Sequence, residues 1–214
     1  TDILARRPAL RYILTKRRDQ LDRLLEGPLT AVADIQALRG IEGAGASLYF
    51  NALAEATPAS LNFSGRNRRP PRDPFNAVLS LGYTLLHAEA ALALHASGFD
   101  PYIGFYHALA FGRESLASDI IEPARAGVDA FALKLFAEQV LRAEDFSQTD
   151  GGCLLGKAGR LRFYQHYDAQ GKLLRKILAS RITHLGSQLL GHTFEPQDAL
   201  QQPGVDDGEL PDML

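Results

Sequence analysis

The sequence contains almost no cysteine, methionine or tryptophan: among 214 residues there is one cysteine, one methionine and no tryptophan. The single cysteine, Cys153, excludes an intrachain disulfide and any metal site built from several thiolates. It fits a reducing compartment, so we expect a cytoplasmic protein. The composition, 46% hydrophobic and 22% charged, is typical of a globular chain, and the length allows one sizeable core or two small ones.

Long apolar runs and targeting segments are also lacking. No apolar run approaches the roughly 20 residues of a membrane-spanning helix. The chain starts at Thr1, and its first residues carry arginines without the apolar stretch that a signal peptide needs. We therefore interpret the sequence as a fragment or as one part of a longer polypeptide.

Two common catalytic signatures are absent from the sequence. It contains no Walker-type glycine loop, which disfavours a P-loop nucleotide hydrolase. Ser115 has no evident base beside it in a nucleophile-elbow setting, which disfavours a serine hydrolase triad.

Charge is unevenly distributed, although the formal net charge is only −2. Six acidic residues and no Lys or Arg follow residue 194, and without them 23 basic residues face 19 acidic ones. We expect a helical body over residues 1–194 and a disordered acidic tail over residues 195–214.

Basic residues are concentrated in two places. Arg66, Arg68, Arg69 and Arg72 crowd a proline-stiffened loop, where guanidinium groups can bind phosphates bidentately. A second patch lies between residues 157 and 181. It includes Arg160 and Arg162 as candidate nucleic-acid-binding residues. The alternative is that these side chains are solvated surface charges, and for the arginine loop both interpretations stay equally open.

Apolar periodicity predicts an all-α fold, a multi-helix domain with a short β-hairpin near residues 146–155. Asp73-Pro74 and Asp100-Pro101 each combine an N-cap residue with proline at the first helical position, so we expect a helix after each. Pro123 should kink or restart a helix, and Gly171 should break one. The expected helices cover residues 4–25, 29–56, 74–97, a short segment carrying His107, 115–141 and 157–190.

Glu42 stands among glycines in the middle of the second predicted helix. Gly40, Gly43 and Gly45 each cost a helix about 1 kcal/mol relative to alanine, so a compensating reason is needed. Glycine allows another backbone or a ligand to approach closely. The alternative is tight helix packing with Glu42 pointing to solvent. The two are compatible, because small residues allow close packing, and we expect that packing to force the Glu42 carboxylate into a crowded interior pocket.

His107, Asp119 and Glu122 form a second candidate cluster. Asp119 and Glu122 are three residues apart and share a helix face among apolar neighbours, which draw them toward the core. With Glu42 they offer three carboxylates and one imidazole, a donor set that suits Mg²⁺ or Mn²⁺. A carboxylate-bound divalent metal near basic patches points to phosphodiester chemistry.

Arg113 has two alternative roles. It can stabilise developing charge in the transition state of such a reaction. Alternatively, Asp119 and Glu122 form ion pairs with Arg113 or Arg125 on a surface helix, and no metal is needed. On spacing alone, the metal site is a weak hypothesis.

Four segments resemble, in order, the signatures of the CRISPR-associated protein one family, the spacer-acquisition nuclease-integrases. A later segment, T-D-G-G-C-L-L-G-K-A-G-R at residues 149–160, is also similar. The resemblance covers about residues 1–185, and the order of the segments with their intervals makes it specific. The four are R-G-I-E-G-A-G-A-S-L-Y-F at 39–50, R-N-R-R-P-P-R-D-P-F-N-A-V-L-S-L-G-Y-T-L-L at 66–86, G-F-D-P-Y-I-G-F-Y-H at 98–107 and G-R-E-S-L-A-S-D-I-I-E-P at 112–123.

The resemblance implies a set of site residues and a reaction. The family's metal ligands fall on Glu42, His107 and Glu122, and Asp119 matches a further acidic position of the catalytic site. The cofactor implied is Mg²⁺ or Mn²⁺. The reaction implied is transesterification, in which a DNA 3′-hydroxyl attacks a phosphodiester at a CRISPR repeat and inserts a short spacer.

The resemblance also implies an assembly. In the family, the helical catalytic domain follows an N-terminal β-rich domain, and we expect this sequence to begin directly in the helical part, without that domain. The implied partners are DNA, the CRISPR-associated protein two, a second copy in the full-length context, and a fused reverse transcriptase or partner nuclease, with no membrane. The alternatives are a catalytically weak nucleic-acid-binding fragment or scaffold of a larger fusion, and a related mobile-element integrase.

Overall fold

In a computed structural model, residues 8–27 and 32–191 are described, and they form α-helices with one two-stranded sheet. The all-α prediction, with its short hairpin, is confirmed. The elements in chain order are α1 (Pro8–Glu26), α2 (Ile35–Ala56), α3 (Pro74–Ala96), α4 (Ser115–Ala137), β1 (Phe146–Thr149), β2 (Gly152–Leu155) and α5 (Lys157–Leu190). The predicted acidic tail, 195–214, lies outside the described residues.

Side-chain caps fix two helix starts. The Asp34 carboxylate accepts the backbone N–H of Ala37 at 2.8 Å, so α2 begins at Ile35 and the predicted start at residue 29 was too early. Asp73 accepts the N–H of Asn76 at 2.8 Å, and α3 starts at Pro74 as predicted.

A restart at Pro123 and a break at Gly171 do not occur. Helix α4 is one helix with Pro123 inside it, so the helix does not restart, and it ends at Ala137 before the predicted residue 141. Helix α5 continues through Gly171 to Leu190. Leu174 and Leu178 are almost fully buried there. Their burial outweighs the cost of about 1 kcal/mol for one interior glycine.

The chain divides into two compact units, and the first comprises Thr1–Thr84 with Ala126–Gln170. Its core is rich in aromatic rings. Phe131 and Phe163 meet edge to face at 5.5 Å, and Phe75 lies 5.9 Å from Phe136. The hairpin belongs to this unit, with Phe146 paired to Leu155.

The second unit comprises Leu85–Arg125 with Gly171–Leu214. Its described core is aliphatic. The members with at most 4% exposure include Leu86, Leu94, Leu116, Ile120, Leu178 and Ile182. The prediction of one domain over residues 1–194 stays a prediction.

Helix α3 is long and apolar enough, by length and composition, to cross a membrane, so the expectation that no such stretch exists was wrong. Phe75, Val78, Leu79 and Leu86 have no exposed surface, as expected for a core helix. A single helix of this kind is weak evidence for a span, because core helices pass the same test.

Candidate functional site

The loop that carries His107, residues 99–114, is organised by one buried carboxylate. Asp119 accepts the backbone N–H groups of Phe105 at 2.7 Å, Tyr106 at 3.0 Å and His107 at 3.0 Å. These three amides donate to a side chain, so they cannot form a helical ladder with backbone carbonyls. The prediction of a short helix here was wrong for this reason.

The predicted helix start at Asp100-Pro101, within this loop, forms a turn instead. The Asp100 carboxylate accepts the N–H of Tyr102 at 2.9 Å, two residues later, and this bond forms an Asx-turn. Pro101 is buried, and its carbonyl accepts the N–H of Leu116 at 2.8 Å. The loop is therefore fixed to the start of α4.

The same carboxylate orients the His107 ring. The Nδ1 atom lies 2.5 Å from Asp119 Oδ1, whose side chain has no exposed surface, while 19% of the His107 side chain is exposed. An ionised carboxylate can only accept, so Nδ1 carries the proton, and in the neutral ring Nε2 has the free lone pair. A carboxylate behind a histidine orients metal-ligating imidazoles in the same way.

Gly104 allows this arrangement to close. A Cβ at position 104 would lie 2.8 Å from Asp119 Oδ2, from the His107 carbonyl oxygen and from Ser115 Cβ. The Ser115 hydroxyl donates to the Ala108 carbonyl at 2.9 Å and forms a second tie across the loop. Only glycine fits between these groups without displacing one of them.

Glu122 lies three residues after Asp119 on α4 but has different surroundings. It is half-buried, and its Oε1 accepts from Arg125 Nη1 at 2.8 Å. The ion-pair alternative is therefore observed for Glu122 with Arg125, whereas Asp119 binds the His107 loop. The two acids share a helix but not a role.

Glu42 is exposed on α2, and the expectation of a crowded pocket was wrong. A Cβ at Gly40 or Gly43 would have nothing within 4 Å among the described residues, and one at Gly45 would meet only Leu21 Cδ2 at 3.8 Å. The glycines thus leave an open surface beside the carboxylate. Such a surface can admit a ligand or another backbone.

A buried hydrogen-bond network that the sequence analysis missed holds the C-terminal half of α2. Asp129 is 3% exposed and accepts from the Tyr49 hydroxyl at 2.6 Å and from the Tyr83 hydroxyl. Burial, and then the Asp129 charge, raise the pKa of Tyr49, so this phenol keeps its proton. The signal that the sequence offered for Tyr49 was its position, seven residues after Glu42 and on the same helix face.

The arginine loop, residues 66–72, contains one inward and three outward arginines. Arg66 donates to Asn76 Oδ1 at 2.9 Å and to Ser80 Oγ at 3.1 Å, and its guanidinium carbon lies 5.4 Å from the centre of the Tyr83 ring. Arg66 is therefore part of the fold. The other three arginines of the loop, Arg68, Arg69 and Arg72, are exposed.

Arg160 and Arg162 bind carbonyl groups of their own unit. Arg160 donates to the Leu155 carbonyl at 3.1 Å, and Arg162 Nε donates to the Val140 carbonyl at 2.9 Å. Arg162 also pairs with Asp145. Burial acts to raise the pKa of Asp145, but the hydrogen bonds from Arg162 and the Arg142 backbone, together with the charges of both arginines, outweigh it, and the net pKa is lowered.

Arg113 is exposed on the loop just before α4. It lies six residues after His107, and its backbone N–H donates to the Ala110 carbonyl at 3.1 Å. Its charge is thus presented to solvent beside the start of the Asp119 helix.

The donor chemistry of the predicted site residues fits a divalent metal ion. Within residues 8–27 and 32–191, no three His, Cys, Asp or Glu side chains lie close enough together to hold a metal ion. The individual groups are nevertheless suitable ligands, because His107 presents Nε2, and Glu42 and Glu122 present carboxylates on accessible surface. Asp119 is less suitable, because both of its oxygens already accept hydrogen bonds.

The sequence profile of the family described as "CRISPR associated protein Cas1" matches residues 3–169. The CRISPR-associated endonuclease Cas1 1 of Thermodesulfovibrio yellowstonii is 41% identical over 180 residues, which cover 80% of this chain and 57% of that protein. The chain thus spans little more than half the length of this relative.

Two solved structures have similar folds. One, described as a partial Cas6-RT-Cas1–Cas2 complex, superposes with a TM-score of 0.77 at 28% identity, covering 88% of this chain and 60% of that one. The other is a casposase bound to an integration product, with a TM-score of 0.65 at 27% identity, covering 76% and 48%.

Proposed function

This chain belongs to the CRISPR-associated Cas1 family, and from that premise we propose that it is the helical catalytic part of a metal-dependent DNA endonuclease and integrase. The observation that carries the proposal is the His107–Asp119 pair. A buried carboxylate sets the tautomer and direction of a partly exposed imidazole, as a metal-ligating histidine requires.

The proposed reaction is transesterification of DNA. A 3′-hydroxyl oxygen forms a bond to a phosphodiester phosphorus while the bond to the leaving oxygen breaks, so the number of phosphodiester bonds is unchanged. Hydrolytic nicking is the same displacement with water as the nucleophile. A bound Mg²⁺ or Mn²⁺ would polarise the phosphorus centre and favour the deprotonated nucleophile.

Each site residue of the chain has a distinct proposed role. Glu42, His107 and Glu122 would hold the metal ion, and Glu122 would exchange its bond to Arg125 for the ion. Asp119 is a positioning residue, because its oxygens hold the His107 backbone and ring. The open glycine surface around Glu42 leaves room for a phosphate to approach.

Nucleic-acid binding is assigned to the exposed arginines. Arg68, Arg69, Arg72 and Arg113 present charge to solvent and would bind the phosphate backbone. Arg66, Arg160 and Arg162, also predicted to bind nucleic acid, already donate to groups of the fold. We therefore expect them to contribute less to binding.

The proposed partners come from the similar structures. The Cas6-RT-Cas1–Cas2 complex supports assembly with a Cas2 protein and a fused reverse transcriptase in the full-length context. The casposase supports the second candidate, a mobile-element integrase with the same chemistry. Sequence preference separates them: a CRISPR integrase joins DNA at a repeat boundary, whereas a mobile-element integrase prefers its own target.

The central test replaces two metal ligands in the longest natural protein that contains this chain, assayed with its Cas2 partner. Glu42→Ala and His107→Ala should each abolish Mn²⁺-dependent joining of branched DNA and leave the far-ultraviolet circular dichroism unchanged. Glu138→Ala and His95→Ala, which remove an exposed acid and an exposed histidine outside the site, should retain full joining.

Two results would contradict the proposal in different ways. Full joining by both site variants would show that the residue assignment is wrong. A folded parent protein that binds DNA but neither nicks nor joins it at any Mn²⁺ concentration would favour the scaffold alternative.

A further inference from the structure

The arginine loop is held on one side by a frame of amide and carboxylate side chains. Asn76 has no exposed surface, and its Oδ1 accepts the N–H of Asn67 at 3.0 Å while its Nδ2 donates to the Gly65 carbonyl at 2.9 Å. Asn67 Oδ1 in turn accepts the N–H of Arg72 at 2.8 Å. The two amides thus bond to the loop backbone at Gly65 and Asn67, before Arg68, and at Arg72.

The β-hairpin holds the opposite side of the loop. The backbone N–H of Cys153 on β2 donates to the Pro71 carbonyl at 2.7 Å. Gly152, with a φ of +108°, lies so close that a Cβ would be 2.6 Å from both Pro70 Cβ and the Pro71 carbonyl oxygen. Only glycine combines this backbone angle with this approach.

These contacts prepare the loop for a polyanion. Arg68, Arg69 and Arg72 are exposed, but the backbone that carries them is bonded to α3 on one side and to β2 on the other. A loop fixed in advance loses less conformational entropy when it binds, and more of the phosphate attraction then appears as affinity. Asp73, which follows Arg72 in the sequence, is buried and accepts from Asn67 and Asn76.

We propose that the hairpin Phe146–Leu155 is a positioning element for DNA binding, and that Gly152 and Asn67 hold the arginine loop in the shape in which Arg68, Arg69 and Arg72 bind backbone phosphates. Arg66 belongs to the frame and not to the binding surface. This inference rests on the proposed function, because it takes DNA as the ligand of the loop.

The test compares two adjacent glycines in the intact protein. Gly152→Ala should weaken binding of a short fluorescent DNA duplex with single-stranded ends about tenfold. It should also reduce the slope of log Kd against log salt, by about 0.9 for each phosphate that is no longer bound. Gly151→Ala is the matched control, because among the described residues its Cβ would meet only Thr149 Oγ1, at an ordinary 3.6 Å. It should bind as the parent does.

Three further variants separate the possible outcomes. Replacing Arg68, Arg69 and Arg72 together with Ala should reduce the salt slope by about 3. Asn67 lies outside the core, and Asn67→Ala removes the acceptor of the Arg72 N–H. This variant provides a second measurement of the positioning role if Gly152→Ala does not fold. Arg66→Ala should lower the melting temperature and reduce the salt slope by less than Gly152→Ala does, because it removes one contact of the frame and no phosphate contact.

The results distinguish the inference from the proposed function. If the triple variant loses binding while folded Gly152→Ala and Asn67→Ala bind normally, the positioning role is wrong and the arginine surface stands. If the triple variant binds DNA with an unchanged salt slope, the DNA-binding role of the loop is wrong as well.

Discussion

Two long loops of this chain each hold functional side chains in place, but their backbones are held by different kinds of contact. The loop at residues 99–114 presents His107, and one carboxylate, that of Asp119, accepts three of its backbone amides and its histidine ring. The loop at residues 57–73 presents three arginines, and its backbone is held by Asn67, Asn76 and the hairpin together.

The difference reflects what each loop presents. A single acceptor, the Asp119 carboxylate, sets the position of one imidazole within a narrow range, so any displacement of that carboxylate also displaces the His107 ring. A distributed frame divides the support of a charged surface among several contacts, so the loss of one contact displaces that surface only in part. We therefore expect substitutions to have steep effects in the first loop and graded effects in the second.

Removal of the Asp119 carboxylate should have the largest effect and would sharpen the comparison most. Asp119→Ala leaves three loop amides and the His107 ring without their acceptor. Each buried donor left unsatisfied costs about 1–3 kcal/mol. The amides are partly accessible to water, so we expect a total of about 3 kcal/mol in urea unfolding.

The same substitution should lower Mn²⁺ affinity, measured by calorimetry, by about 10–100-fold, as for other losses of a carboxylate behind a ligating histidine. Asp119→Asn retains the shape and one acceptor oxygen, and should lie between alanine and the parent. If Asp119→Ala unfolds at the parent's urea concentration, the loop does not depend on a single point.

A methyl group at position 104 should have the next largest effect. Gly104→Ala would bring a Cβ within 2.8 Å of three groups, and two of them, the His107 carbonyl and Ser115 Cβ, cannot rotate away. Overpacking of this kind costs about 1–3 kcal/mol. Thermal melting should show the loss, and joining activity should fall further than stability alone explains, because His107 is displaced.

Loss of one anchor in the distributed frame should have a small effect. Ser80→Ala removes one acceptor of Arg66 but leaves Asn76 Oδ1 and the Tyr83 ring. We expect a loss of about 1 kcal/mol in urea unfolding, typical of one hydrogen bond, and an unchanged salt slope for DNA binding. A loss as large as that of Asp119→Ala would remove the contrast between the two loops.

The smallest effect is expected on the open surface of α2, and it has the opposite sign. Gly43→Ala adds a methyl group where nothing lies within 4 Å among the described residues, so stability should rise by about 0.5–1 kcal/mol. The melting temperature measures this gain. A loss of joining activity despite the gain would show that the bare surface next to Glu42 receives the substrate.

The sequence predicted those parts of the fold that depend on local signals. Asp73-Pro74 starts a helix, because the Asp73 carboxylate accepts the backbone N–H of Asn76, three residues later. Asp100-Pro101 carries the same signal and fails, because Asp119, nineteen residues later, takes the amides that a helix would need. Sequence patterns show which nearby groups can accept these backbone amides, but not which distant side chain will accept them instead.

The candidate site was predicted to a similar extent. Spacing placed Asp119 and Glu122 on one helix, but it could not show that one binds a loop and the other an arginine. The glycines around Glu42 predicted close packing, whereas the helix leaves that face open. The assignment of Glu42, His107 and Glu122 as metal ligands stays a prediction.

Both carboxylate oxygens of Asp119 already accept hydrogen bonds, and this constrains how the sequence can vary during evolution. A glutamate at position 119 would be one methylene too long for oxygens that already meet three amides and a ring, so only aspartate fits there. Glu122 meets a flexible arginine at a half-exposed surface, and an aspartate with a small helix adjustment serves equally well. Natural variants of this chain should therefore drift at position 122 and remain fixed at position 119.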